Sequence, residues 1–363
     1  MKNTTCLLFV LLLHPNLRAQ DEKRHDATQA GKKDTSVVNE ILEAAYLLTA
    51  ISKYEDAHAY FVFVLKDVPT IQVYNNAGIA AVMDALNYFR PTEPEVKFHH
   101  PVELDLKSVG TRNLKDFKDI RAQKLGEAIT HFDAAIQLDT GYAPAYLNKA
   151  CAYSLLGDIE QARVFAGAAA NKPGYEKTAV DVLVLQAILY AREGDTTQAK
   201  EVFKTAFARG SALAEHNLKI LQGLPIEKPP AGIRLGDIET IDGIALNDPY
   251  NIPEYDTASE VAINAQIHFY HNLHPGSNSY FYFNDNTATG QQTYFLLTGP
   301  GYTGPTAEKL KSGAARADIE AAYKQPLRTV ETLDGEILAY PSIIFILGKD
   351  GKLERWAIYG EEG

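Results

Sequence analysis

The stretch that decides the fold is 143-APAYLNKACAYSLLGDIEQARVFAGAAA-170, continued at 183-LVLQAILYAREGDTTQAKEVFKTA-206. In the first piece Tyr146, Ala150 and Tyr153 recur at helical spacing. Gly157-Asp158 breaks the run, and Ile159, Ala162, Ala166 and Ala169 resume it. In the second piece Leu183, Ala187 and Tyr190 lead to Gly194-Asp195, after which Thr197, Ala199, Phe203 and Ala206 follow. A 3.6-residue apolar period interrupted by a short turn reads as a pair of packed helices. The alanines stand where two helices must approach closely, and the larger side chains fill the space beside them.

Two such pairs in succession resemble the tetratricopeptide repeat, a helix pair of about 34 residues that stacks into a superhelix. Working outward, further copies can be placed. Val37–Ala50 is apolar on a helical period, and Ala57, Phe61 and Pro69 match the second-helix alanine, the aromatic and the closing proline of the family. Tyr74, Gly78 and Ala81 fit another first helix, with Gly78 allowing close approach. Its partner comes late, at Ile120–Leu138, with Ala128, Phe132 and Ala135 at second-helix positions. Ala128 to Ala162 spans 34 residues and Ala162 to Ala199 spans 37, which keeps the register. The expectation is one repeat split by an insertion at about 90–118, and a last helix, Ser211–Leu221, capping the stack.

The expected fold is an all-α, tetratricopeptide-like solenoid over 37–222 followed by an α+β domain over 233–363 with a mainly antiparallel sheet. Pro225, Pro229 and Pro230 mark 223–232 as a linker. Beyond it the period changes. Val261–Tyr270, Ser279–Asn284 and Gln292–Thr298 alternate like strands, Ala315–Tyr323 like a helix. Asp334-Gly335 and Asp350-Gly351 are hairpin signals. Gly313–Tyr359, a helix followed by strands, is similar to the modules of β-lactamase-inhibitor-like proteins and small outer-membrane assembly lipoproteins. That likeness implies protein binding.

At the N-terminus Lys2, the apolar run Leu7–Leu13 and Leu17-Arg18-Ala19 read as a signal peptide over 1–20, with a polar leader over 21–36. The chain is expected to be exported, to the periplasm or beyond the cell, without a membrane span. Removing Lys2 and Arg18 moves the formal charge from −11 to −13. Such acidity repels phosphate backbones, so nucleic acid is not an expected partner. Cys151 is then the one cysteine left and reads as a small buried hydrophobe.

His99-His100 with Glu103 and Asp105, and His268, His271 and His274, are the two candidate metal clusters; adjacent histidines in a strand point to opposite faces, and no HExxH helix or cysteine pair supports either. No nucleophile elbow, phosphate loop or dinucleotide fingerprint is present. No catalytic residue, metal or cofactor is assigned.

The family likeness implies a binding groove lined by first helices. The inward positions are Asn75, Asn76 and Ile79, then Leu147, Asn148 and Cys151, then Val184, Leu185 and Ile188. Asparagine amides there could hydrogen-bond an extended peptide or solvate the groove. Tyr146-Leu-Asn-Lys149 resembles part of a carboxylate clamp, but Asp181 and Leu185 stand where the basic half belongs. The resulting reading is a non-enzymatic interaction scaffold for a protein or peptide partner, envelope proteins included. The alternatives are an envelope enzyme around His268, His271 or Glu331, and glycan binding by exposed tyrosines of Tyr280–Tyr302.

Overall fold

The computed structural model describes residues 35–90, 92–102, 117–226, 239–246, 259–273, 279–332 and 335–362. The expected signal peptide, most of the leader, Glu103, Asp105 and His274 lie outside these residues, as does part of the linker.

Among the described residues nine α-helices come first: α1 Thr35–Ala50, α2 Tyr54–Val64, α3 Ile71–Leu86, α4 Phe117–Leu138, α5 Ala143–Leu156, α6 Ile159–Ala170, α7 Glu176–Arg192, α8 Thr196–Ala208 and α9 Ala212–Gln222. The Gly-Asp breaks have a mechanical cause. Gly157 (φ 87°) and Gly194 (φ 88°) take the left-handed backbone that side chains disfavour. The next residue then caps the following helix: Asp158 accepts from the Gln161 N–H and Asp195 from the Gln198 N–H, each at 3.0 Å. Ala128, Ala162 and Ala199, the residues that set the register, are fully buried. Gly78 behaves as its position predicts, since a Cβ built there would overlap the Phe132 ring of α4. The repeat is therefore whole although the insertion separates its two helices in sequence.

The remainder forms one eight-stranded antiparallel sheet: β1 Ser259–Ala262, β2 Ile267–Leu273, β3 Ser279–Asn286, β4 Gln291–Thr298, β5 Arg328–Thr332, β6 Gly335–Tyr340, β7 Ile343–Gly348 and β8 Leu353–Glu362. Its strand order is β1-β2-β3-β4-β8-β7-β6-β5. One expectation needs correction. Val261–Tyr270 is a hairpin, with β1 and β2 joined where the Asn264 side chain accepts from the N–H groups of Gln266 (2.8 Å) and Ile267 (2.9 Å). A single asparagine makes that turn, without the Asx-Gly pair that marks a hairpin in sequence.

Helix α10, Arg316–Tyr323, covers one sheet face, where Ile319 and Tyr323 pack with Phe281, Phe345 and Trp356. The opposite face is covered by the helical array. Ile41, Leu48, Tyr60 and Phe61 share a core with Phe269, Phe295, Ile337 and Ala357. Polar contacts stitch this junction. Tyr282 donates to Glu43 (3.0 Å) and Arg355 pairs with the same carboxylate. His271 Nδ1 meets Glu40 at 2.6 Å. Asn284 (3.0 Å) and Asn286 (2.6 Å) both donate to Asp56, whose carboxyl burial pushes above the usual range. Asparagines, which cannot supply charge, leave burial as the larger influence on Asp56.

Candidate functional site

The first helices α3, α5, α7 and α9 line the concave side of the array, and two strips of that surface have different fates. Along their N-terminal halves runs an open cleft of about 530 Å³. Asn75, Asn76 and Ile79 of α3 and Leu147 and Asn148 of α5 line it. Lys177, Thr178 and Asp181 of α7 continue the wall, and Thr329, Val330 and Thr332 of the edge strand β5 face it. The sheet thus supplies one side of the cleft, a contribution that no repeat pattern carries.

The second strip is occupied by the chain itself. The first part of the insertion, through a 3₁₀ turn at Pro94–Val96, lies across the C-terminal halves of α5, α7 and α9. Phe98 packs with Val184, Ala187 and Ile188. Asn217 of α9 grips the backbone of His99 at both ends, accepting its N–H at 2.9 Å and donating to its carbonyl at 2.8 Å. His100 Nε2 sits 2.9 Å from the Ser154 hydroxyl in full burial. Burial, aided by the nearby Arg192 charge, lowers the His100 pKa to about 3, so the ring is neutral. Arg192 binds the Ser154 carbonyl and lies 3.7 Å from Glu95.

This division sorts the nine sequence-derived groove residues. Asn75, Asn76, Ile79, Leu147 and Asn148 meet in the cleft. Cys151, Val184, Leu185 and Ile188 have no exposed surface. Val184 and Ile188 are under Phe98, while Cys151 and Leu185 belong to the core that includes Val102. The one hint of this in the sequence is Phe98-His-His-Pro-Val102, an apolar island in a polar insertion.

The asparagines are also more engaged than a hydrated pair. Asn148 Nδ2 donates to Asn75 Oδ1 at 2.9 Å, both residues being buried. Asn76 Nδ2 donates to the Tyr46 hydroxyl at 2.7 Å. These bonds fix the orientation of each amide. Lys149 does not serve a clamp: it pairs with Asp133 and lies 3.9 Å from the Phe165 ring centre.

Elsewhere, His268 and His271 lie on opposite faces of β2, paired with Glu260 (2.8 Å) and Glu40 (2.6 Å) respectively. They do not form one site; the Glu331 side chain is outside the described residues. Tyr282 and Tyr294 are buried, and Tyr302 packs edge-on against buried Trp356, so the expected exposed tyrosine patch for glycans does not exist there. Among the described residues no helix is long and apolar enough to cross a membrane.

Comparison with known proteins agrees with the helical reading. Residues 143–169, which are α5 and most of α6, match the tetratricopeptide repeat family model. No curated protein matches the chain. Solved structures that resemble part of it include two repeat proteins. One is a thermophilic tetratricopeptide repeat protein of Thermus thermophilus, 16% identical, covering 51% of this chain and 99% of its own, with a TM-score of 0.30. The other is a tetratricopeptide repeat protein of Parabacteroides merdae, also 16% identical, covering 51% of this chain and 71% of its own, with a TM-score of 0.27. The match to the repeat family falls on the α5–α6 pair, which is set within a longer array of helix pairs.

Proposed function

We propose that this chain is an exported, non-enzymatic scaffold that holds an extended segment of a partner protein in the cleft between α3, α5, α7 and β5. The observation that carries this reading is the convergence of Asn75, Asn76, Ile79, Leu147 and Asn148 on one open channel. Oriented amides can bond a peptide backbone whatever its side chains, and Ile79 and Leu147 offer apolar contact. The bound segment enters between a helical wall and a sheet edge, so both regions take part. The helix-then-strands pattern read in the sequence of Gly313–Tyr359 is in keeping with a protein-contact role for that segment. The apolar run Leu7–Leu13 supports export, and the envelope is then where partners are met.

The test places a photo-crosslinking residue at Asn76 in the cleft and, in a second variant, at Val164, which is 60% exposed on α6. Expressed in a native envelope, the first should trap a discrete protein and the second should not. The same products from both positions, or none from Asn76, would refute the assignment.

A further inference from the structure

Away from the groove, two histidines of successive second helices face one another. His58 of α2 and His131 of α4 have their Nε2 atoms 3.2 Å apart. Their rings are close to perpendicular, at 73°, with centroids 5.3 Å apart. A neutral imidazole has one lone-pair nitrogen and one N–H, so two inward Nε2 atoms put at least one lone pair between the helices. Two nitrogen ligands at 2.0–2.1 Å around a tetrahedral ion lie about 3.3 Å apart. The observed spacing needs almost no adjustment to meet that figure.

The geometry points to a divalent transition-metal site between α2 and α4, with His58 and His131 as ligands through Nε2 and the Glu127 carboxylate as third. Glu127 precedes His131 by four residues, so both side chains stand on one face of α4. Its charge acts on both imidazoles. Its present hydrogen bond is an exposed one from Gln123 at 3.0 Å, which water can replace. Among the described residues no three His, Cys, Asp or Glu donors already converge. The shell is therefore closed by rotation of Glu127, with water in the remaining position.

The surroundings suit a bound cation. Lys124, whose charge reaches His58, is held by Asp84. The Tyr74 ring lies beside His131, its centre 6.4 Å away. Both histidines are half-buried, which leaves a route from solvent. Two imidazoles and a carboxylate select zinc, nickel, cobalt or copper over calcium and magnesium. The ion would bridge α2 and α4, and the site is independent of what the groove binds.

The experiment uses the full, tag-free chain, stripped with chelator and titrated with Zn²⁺ and, separately, Co²⁺. One ion per chain should bind, Tm should rise, and Co²⁺ should give visible bands. Ca²⁺ should leave Tm unchanged. H58Q and H131Q should each weaken Zn²⁺ by more than about 100-fold, beyond the roughly 10–100-fold seen for loss of a mere outer-shell partner, and E127Q by less. Should a variant misfold, wild-type chain answers the question by histidine acylation mapped by mass spectrometry. Zn²⁺ should protect His58 and His131 and leave His268 reactive. Absence of stoichiometric binding, unchanged affinity in H131Q, or protection of other histidines would each overturn the site and leave only a hydrogen bond between imidazoles.

Discussion

The two strips of the concave surface are built on the same first helices, yet one is closed by its own chain and the other is open. In the closed strip the occupant is apolar at Phe98, gripped through its backbone at His99 and neutral at His100. In the open strip the lining is amide- and hydroxyl-rich, and its asparagines are oriented by one another and by Tyr46. The difference separates two uses of one surface. Where the repeats carry apolar residues inward, as at Val184 and Ile188, the chain covers them. Where they carry Asn75, Asn76 and Asn148, the amides bond one another and Tyr46, and the strip stays open without an apolar cover.

That contrast can be broken by mutation. The largest effect is expected from Phe98→Ala, which removes the apolar filler of the closed strip and should destabilise by about 3–5 kcal/mol, read from denaturant midpoints. Ala162→Leu overpacks a helix junction beneath both strips and should cost about 1–3 kcal/mol. Asn217→Ala leaves the N–H and carbonyl of His99 without their amide, and about 1–3 kcal/mol should go with it. Asn148→Ala should cost a comparable or smaller amount, because the buried Asn75 Oδ1 loses its donor. Asn76→Ala should be smallest in stability, within about 1 kcal/mol, while weakening partner capture. If Asn76→Ala proves as damaging as Phe98→Ala, the open strip is part of the folding core and the contrast fails.

Acid should sharpen it. The folded state holds His100 well below its unfolded value, so the unfolded chain binds a proton that the fold refuses. The stability due to neutral His100 is complete above about pH 6.5 and is lost as pH falls toward about 3. Asp56, raised by burial, acts in the opposite sense: its cost is felt at neutral pH and relieved by acid. Unfolding of His100→Gln should therefore respond less to acid than that of the natural chain; equal pH slopes would remove His100 from the account.

Much of this was legible in residues close together in sequence. The alanines spaced at the repeat length and the Gly-Asp turns are local or periodic signals, and they located the helix pairs. The Asp350-Gly351 hairpin was equally plain. What the pattern could not carry was cover. Nothing near Val184 announces that Phe98 lies on it, and a first-helix position reads alike whether it meets solvent or its own chain. The junction between array and sheet was hidden for a similar reason. Glu43 and Arg355 are 312 positions apart, and each alone looks like a surface charge. Long-range polar pairs leave no period to read.

The place of β8 in the sheet has a consequence for the order of events during synthesis. β8 lies beside β4 in the middle of the sheet, and about 300 residues separate it from α1. At ribosomal speeds of roughly 5–20 residues per second, that delay is on the order of tens of seconds. Through it α1 and α2 can pair with each other while Ile41 and Leu48 still lack the sheet, and Glu43 stays hydrated until Arg355 arrives. The first helix to leave the ribosome among those described is thus among the last to be finished, and a nascent chain must be kept from aggregating on that face while it waits.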